Sequence, residues 1–396
     1  MTEHRSGAAP TFRRDGTFLD AAYMHPVSIE SGDAMRDYLR FREGDRAAAE
    51  LLMTQSRSTA VAAFARLMRC DPASLGWIPS TMVGENLVVN GLGIAPGRGR
   101  VVTDAYHFNG SLFMYDQMRQ AGADVQVVMP RGQRIELADF DAAITPGTTL
   151  VAVSLVSATT GFVHDLKALC DLAHARGALV YADLIQAAGA MPVDLTASGV
   201  DFCASSTYKW LMGDFGVGFF YARAESLARL ARTQTGYRQM AAYQTHFLPH
   251  DAAGACAVSS ERGTSVAAHV EVGTLGNAAI AGLACSLTML EATDLAALQT
   301  RRRPMFERLA ERLPALGFAP MTAPDTPGPI VAYACENAGR FREALAQRTI
   351  RIGLYQNRIR ISPSFYNTMD DIDALIDALG AASGDAAGHT ASKAHS

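Results

Sequence analysis

Ala178-Leu179-Val180-Tyr181-Ala182-Asp183-Leu184-Ile185-Gln186, followed downstream by Ser205-Ser206-Thr207-Tyr208-Lys209-Trp210, is the part of the chain whose reading decides the fold. The first segment is apolar until it ends in Asp183, the pattern of a parallel strand covered on both faces. A second strand-like run ends in Ser205 to Lys209, and Gly213, Gly216 and Gly218 follow it. Ligands of open α/β sheets bind at the carboxyl ends of the strands. One strand thus presents a carboxylate at that edge, and the next presents a lysine.

Those two groups, in that order, suit pyridoxal phosphate. The cofactor is an electron sink only while its ring nitrogen is protonated, and a nearby anion favours that charged form. Asp183 is the candidate anion. The Lys209 amine can form a Schiff base with the cofactor aldehyde and, once displaced, serve as the proton-transfer base. Gln186 can hydrogen-bond the phenolic oxygen of the ring from the same loop. Taken singly, Asp183 reads as a helix cap and Lys209 as a solvated lysine. Their joint occurrence with these neighbours points to chemistry instead.

Asp183-Leu184-Ile185-Gln186 and Ser206-Thr207-Tyr208-Lys209-Trp210 resemble the aspartate-x-x-glutamine and lysine motifs of class V aminotransferase-fold enzymes. That family includes cysteine desulfurases, selenocysteine lyases, kynureninases and isopenicillin N epimerase-like proteins. The resemblance runs from about Leu19 to about Leu379. It implies an α/β, fold type I architecture, with a large domain on a mainly parallel, seven-stranded-type sheet and a smaller C-terminal α+β domain.

The chain divides accordingly into a mobile N-terminus (1–12), a large cofactor domain (13–255), a small domain (256–380) and a disordered tail (381–396). Strand-like Val151 to Leu155 and helical Leu166 to Arg176 give a βαβ rhythm. His250 to Gly263 reads as a linker, and a helix over Gln299 to Leu313 opens the small domain. The apolar run Ala278 to Leu290 falls short of the ~20 residues that span a bilayer and contains Ser286 and Thr288. It is expected to be a buried helix, and no membrane partner is expected.

A chain of 396 residues, 49% hydrophobic and 19% charged, can bury a large core in more than one domain. Its formal net charge of −4 argues against nucleic acid as the main partner. The six cysteines are scattered without CxxC or metal-site spacing. A reducing cytoplasm is the expected location.

A phosphate site is expected at Pro79-Ser80-Thr81-Met82-Val83-Gly84-Glu85-Asn86, before a helix-like run, where free N–H groups and hydroxyls can hold an anion. Thr81, Gly84 and Asn86 match the related Gly-Thr-Thr-Glu-Gly-x-Asn motif. Met82 offers only its backbone N–H. By resemblance, Ser206 and Thr274 are further phosphate ligands. The glycine-threonine element of the family crosses a dimer interface, which implies a homodimer with shared active sites, although His269 stands where an arginine is usual.

Tyr106, with His107 as competitor, is the candidate aromatic over the cofactor ring. Ala158 replaces an asparagine that desulfurases place against the phenolic oxygen. Arg360, in Arg358-Ile359-Arg360-Ile361-Ser362-Pro363-Ser364, is the candidate for binding the carboxylate of an amino-acid substrate through two parallel hydrogen bonds. Arg358 would be its solvated neighbour. Tyr23 and His25 are expected to line the side-chain pocket, in loops that also include Tyr237.

Desulfurases need a thiolate on a loop near the small domain. Here Arg351 to Asn357 contains no cysteine, and Cys335 lies in a strand-like run. A thiolate-dependent desulfurase is therefore not expected. The expected function is a lyase cleaving a C–S or C–C bond within the side group of its substrate. Tyr208 before the lysine favours this by its likeness to kynureninases. An aminotransferase or epimerase would use the same residues, and a cofactor-binding protein without turnover is the alternative from another class.

Overall fold

The structure is a computed structural model that describes residues 11–13 and 15–393, with side chains described through 383. Two helices, α1 (Ile29–Gly44) and α2 (Arg46–Leu67), precede an alternation of strands and helices. This begins with β1 (Leu75–Ile78), α3 (Thr81–Gly91), β2 (Arg100–Asp104), α4 (Asn109–Gln120) and β3 (Asp124–Val128). It continues with β4 (Thr148–Ser154), β5 (Leu179–Asp183), β6 (Phe202–Ser206) and β7 (Gly218–Ala222). These seven strands form one sheet in the order β1-β7-β6-β5-β4-β2-β3. Only β7 runs against its neighbours.

The period-2 geometry of a strand sorts the core. Val180 and Ala182 of β5 join one apolar cluster, and Leu179 and Tyr181 join the cluster on the opposite face. β4 divides in the same way, with Val151 and Val153 against Leu150 and Ala152. This two-sided burial is why the strands read as continuous apolar runs. The fold type I expectation and its mainly parallel sheet are borne out.

A third cluster forms the core of a smaller antiparallel sheet, β8-β9-β11-β10, built from β8 (Ala319–Pro320), β9 (Val331–Ala334), β10 (Gly353–Leu354) and β11 (Arg358–Ile361). The expected boundary after residue 255 does not follow the packing. Helix α5 (Asn277–Glu291) places Ile280, Leu283, Leu287 and Leu290 in the core of the large sheet, and it packs along α1 and α2. The expected buried helix is thus found there, and no single helix of the described residues is long and apolar enough to cross a membrane. The small unit begins with α6 (Leu295–Arg312), which covers the expected helix. It also takes Thr17–Phe18 from the other end of the sequence, paired in parallel with Ile350–Arg351.

Two further differences have local causes. Within His250 to Gly263, Val258–Arg262 pairs with Met240–Thr245 as an exposed hairpin, so the segment is only partly linker. The expected disordered tail is helical through Lys393, because α7 (Met369–Lys393) continues into an Ala-rich stretch of high helix propensity. Residues 1–10 of the expected mobile N-terminus, and 394–396 of the tail, lie outside the described residues. Thr11 and Phe12 are held: the Thr11 carbonyl accepts from the Ile29 N–H, and the Phe12 ring packs on His25, Phe365 and Tyr366.

The packing of α2 onto the sheet centres on Phe219, whose ring stacks on Phe64 at 4.0 Å and meets Trp77 at 4.5 Å. Phe219→Ala should cost about 3–5 kcal/mol through lost burial and the cavity left behind. A urea denaturation series would read this as a lower midpoint at an unchanged slope. An unshifted midpoint would remove this stack from the core.

Candidate active site

The parallel strands end together on one edge of the sheet. Ser154 closes β4, Asp183 closes β5 opposite it, and Ser206 closes β6. Asp183 is buried, with Oδ1 accepting the Ile185 N–H at 2.8 Å and Oδ2 lying 3.5 Å from Ser154 Oγ. Burial pushes its carboxyl up, against the Ile185 N–H and the positive charges of His107 and Lys209. Lys209 is buried as well, with its amine 5.7 Å from the Tyr208 ring centroid and no hydrogen-bond partner among the described residues. Burial brings it down to about 8, opposed by Asp183 and Asp20 and reinforced by Arg360. A buried amine brought down to about 8, under the opposing charges of a carboxylate and a guanidinium, is equipped for imine formation and proton transfer.

Helix α3 starts beside it. Ser80 caps the helix by accepting the Val83 N–H, and Gly84 allows the first turn close against β6, where an added Cβ would stand 2.6 Å from that of Ala204. The Thr81 N–H donates to Ser206 Oγ and the Ser206 N–H donates to Thr81 Oγ1, each at 2.9 Å, while the two hydroxyl oxygens are 3.0 Å apart. That last contact uses one hydroxyl hydrogen. The second remains for an anion at the positive end of the helix. Met82 turns its sulfur toward Ser111 Oγ at 3.6 Å, which leaves its main chain as the only contribution to such a site.

His107 is excluded as the stacking ring, because it is buried with Nε2 2.9 Å from Glu85 and Nδ1 2.8 Å from Ser154. Tyr106 is half-buried, 5.7 Å from the Phe162 ring, and burial raises its phenol. Phe108, which sequence reasoning passed over, is the exposed aromatic near the start of α3. An added Cβ at Gly110 would meet both its ring and the Met82 sulfur.

From the small sheet, Arg360 enters this edge buried. Its Nη1 donates to the Ala158 carbonyl at 3.0 Å and its Nη2 to Asp20 Oδ1 at 3.2 Å, while its Nε–H is buried without a partner. Arg358 shares that face and lies 4.0 Å over the Tyr355 ring, half-buried rather than solvated. Asp20 and Tyr355 escaped sequence reasoning. An aspartate far along the sequence from its arginine has no local signature.

The aminotransferase class-V model matches residues 46–375. This chain belongs to that family. A probable cysteine desulfurase of Methanothermobacter thermautotrophicus is 25% identical, across 92% of this chain and 94% of its own. The isopenicillin N epimerase of Streptomyces clavuligerus is 28% identical, across 84% and 85%. Among solved structures, the cystine C–S lyase C-DES, bound to its product cysteine persulfide, superposes with a TM-score of 0.80 at 18% identity, covering 92% and 97%.

Membership of the class-V family brings pyridoxal phosphate as the cofactor, and the residues present fit it. The unbonded buried amine of Lys209, the weakly engaged Oδ2 of Asp183 and the spare hydroxyl hydrogen at Thr81 and Ser206 are the three kinds of group that its aldehyde, ring nitrogen and phosphate require.

Gln186 accepts from Trp210 Nε1 at 2.8 Å and donates one amide N–H to the Ala22 carbonyl at 2.9 Å, which braces the loop and leaves its second amide N–H over. Other expected residues are placed differently. Thr274 is exposed at the rim of a cavity of about 250 Å³ that Pro79 and Val83 also line, with no contact to Thr81 or Ser206 among those described. Tyr23 is exposed on the surface. His25 is not poised for substrate. Its Nδ1–H donates to the Pro26 carbonyl and its Nε2 accepts from Ser364, each at 2.8 Å, inside a box of aromatic rings.

Burial brings the His25 imidazole down to about 4. Between pH 6.5 and 4 the unfolded state therefore binds a proton that the folded state does not, so the stability present above pH 6.5 is lost as pH falls, by about 3 kcal/mol in all. His25→Gln should flatten this acid limb in urea midpoints measured at pH 7 and 4.5. A variant with the same acid loss as the parent would assign the sensitivity to other groups.

Proposed function

We propose that this protein is a pyridoxal-phosphate lyase that breaks a C–S bond in the side group of an amino acid, and that the departing sulfur does not pass through a protein thiol. The observation that carries the reading is the unbonded, buried Lys209 amine, which feels the charges of both the Asp183 carboxylate and the Arg360 guanidinium. Sulfur chemistry is supported by the likeness to the probable cysteine desulfurase. Against a thiolate route stand Arg351 to Asn357, which hold no cysteine, and Cys335, whose thiol burial pushes up.

The cofactor, when bound, accepts the electron pair left at the substrate α-carbon after deprotonation. Thr81 and Ser206 would hold its phosphate, Asp183 its ring nitrogen and Lys209 its aldehyde. The free Nε–H of Arg360, with an Nη–H alongside, binds the substrate carboxylate and orients the α-carbon bonds. The Lys209 amine takes the α-proton, and loss of the sulfur from the β-carbon leaves a fragment that water converts to a keto acid and ammonia. The exposed Thr274 supports a homodimer in which this hydroxyl serves the partner's site. Six free cysteines support a reducing, cytoplasmic setting.

Borohydride reduction of the loaded protein followed by peptide mapping should put the pyridoxyl mass on Lys209. With unreduced loaded protein, cysteine, cystine and S-substituted cysteines should yield sulfide, persulfide or thiol together with keto acid and ammonia. Labelling elsewhere rejects the site, and racemised or transaminated substrate without released sulfur rejects the lyase.

Arg360→Lys keeps the charge but loses the fork, and should lower kcat/KM by an amount equivalent to about 2–5 kcal/mol. The exposed Arg303→Lys is the control, since Arg358 stacks beside the site. Equal kcat/KM in both variants, at equal cofactor occupancy, would remove Arg360 from substrate binding.

A further inference from the structure

Behind Asp183 runs a line of buried polar groups that no step above uses. Glu85 of α3 is buried and accepts from three donors: His107 Nε2 at 2.9 Å, Tyr115 Oη at 2.7 Å and Ser111 Oγ at 2.5 Å. His107 Nδ1 lies 2.8 Å from Ser154 Oγ, and Ser154 Oγ lies 3.5 Å from Asp183 Oδ2. The four groups in line come from α3, the loop after β2, and the ends of β4 and β5. They meet only because those strand ends are in register.

A buried carboxylate is costly unless a cation and hydrogen bonds compensate it. The cation available to Glu85 is His107. The other charged groups around this imidazole are Asp183 on β5 and Asp104 on β2, both acidic. Tyr115 on α4 and Tyr181 on β5 face Glu85 as phenols, which burial pushes well above their ordinary range. Asp104 is itself met by His164 Nε2 at 3.1 Å, and Lys209 faces Asp183. Burial opposes charging His107, but the Glu85 charge and hydrogen bond outweigh it and lift the imidazole above its usual value. The same pairing pulls Glu85 below its own, against burial.

The hydrogen pattern then has a direction. Ser154 Oγ is approached by the Phe108 N–H at 3.2 Å as well as by His107 Nδ1. If His107 carries both ring protons, the Ser154 oxygen accepts twice and its single hydrogen is left for Asp183. A neutral imidazole bonded to Glu85 through Nε2–H would instead draw that hydrogen to Nδ1.

We propose that His107, kept as an imidazolium by Glu85, is a positioning residue that turns the Ser154 hydroxyl toward Asp183 and keeps that carboxylate ionised, so that a four-group relay ending at Glu85 sets the protonation of the bound cofactor's ring nitrogen. The inference rests on the reading that Asp183 faces that nitrogen. Removing the His107 charge leaves Asp183 to take up a proton more readily, and the cofactor ring then loses its proton more readily.

Nitrogen-15 NMR of the full-length, cofactor-free protein at about pH 7.5, where an ordinary imidazole is mostly neutral, should show both His107 ring nitrogens protonated, and one proton lost in Glu85→Gln. In the loaded protein, His107→Gln should move the pH dependence of the cofactor's absorbance by about one unit, equivalent to about tenfold in proton affinity. Ser154→Ala, which leaves the Glu85–His107 pair intact, should move it the same way and carries the test if His107→Gln misfolds. Reconstitution with N-methylated pyridoxal phosphate, whose ring charge is fixed, should restore α-proton exchange in both variants by about tenfold relative to the natural cofactor.

A neutral His107 in the parent overturns the proposal, as do unmoved spectra in variants that melt and load like the parent. A parent that holds no cofactor on Lys209 overturns the reading of the site and the relay's role with it, yet leaves the imidazolium visible in the nitrogen spectra. The two failures are therefore told apart.

Discussion

The buried guanidinium of Arg360 ties the molecule together. Removing a charge from water costs several kcal/mol unless its hydrogens are used, and Arg360 finds partners on two segments remote from its own strand. It is rooted in β11 of the small sheet, donates to Asp20 near the N-terminus, and donates to the Ala158 carbonyl in the loop after β4. This explains why the N-terminal segment leaves the large domain, pairing Thr17 with Ile350 and placing Asp20 opposite Ser362. The loop that Arg360 grips is fixed from its other side as well. Gly161 has a φ of 78°, and a Cβ there would collide with the Ile330 carbonyl of the small unit, so only glycine allows that approach.

A second buried arginine closes the other flank. Arg302 of α6 donates to the Pro363 carbonyl at 3.0 Å and the Ala190 carbonyl at 2.6 Å, and lies 5.0 Å over the ring of Trp210, the residue after Lys209. Neither arginine is solvated; Arg302 lies over the residue after Lys209, and Arg360 pairs with Asp20, whose charge Lys209 feels. The electrostatics follow from this placement: Arg360 disfavours a charged Lys209 while Asp183 and Asp20 favour it, and burial decides the balance toward a readily freed amine. Assembly of the two units thus contributes to the proton affinity of the Lys209 amine.

What the sequence made legible was local. A fully apolar strand ending in Asp183 and a strand ending before Lys209 carry their parity and direction within a few residues, so their convergence could be read without coordinates. Thr81 and Ser206 were legible because each sits at the boundary of its own element. Glu85 was not, because its three donors come from α4 and the loop after β2, and in sequence it is only a polar residue in an apolar helix. His25 misled for a related reason. Its type and position suited a ligand, but the Pro26 carbonyl and the long-range partner Ser364 had already claimed both ring nitrogens.

Lys209 and Asp183 serve elimination, transamination and racemisation alike, so the choice between them is made on the substrate side of the ring. There, Tyr355 receives both Arg358 and Arg360 on its face, at 4.0 and 5.5 Å. This restrains the connection Arg351 to Asn357, in which a thiol route would need a mobile nucleophile. An aromatic ring stacked against two guanidiniums gives up the freedom that such a shuttle requires, but holds Arg360, the proposed carboxylate anchor, rigidly enough to keep one α-carbon bond aligned. The arrangement is consistent with the elimination proposed above, in which the sulfur fragment leaves without a protein thiol, and selectivity would then come from what the loops around this ring admit to the β-carbon.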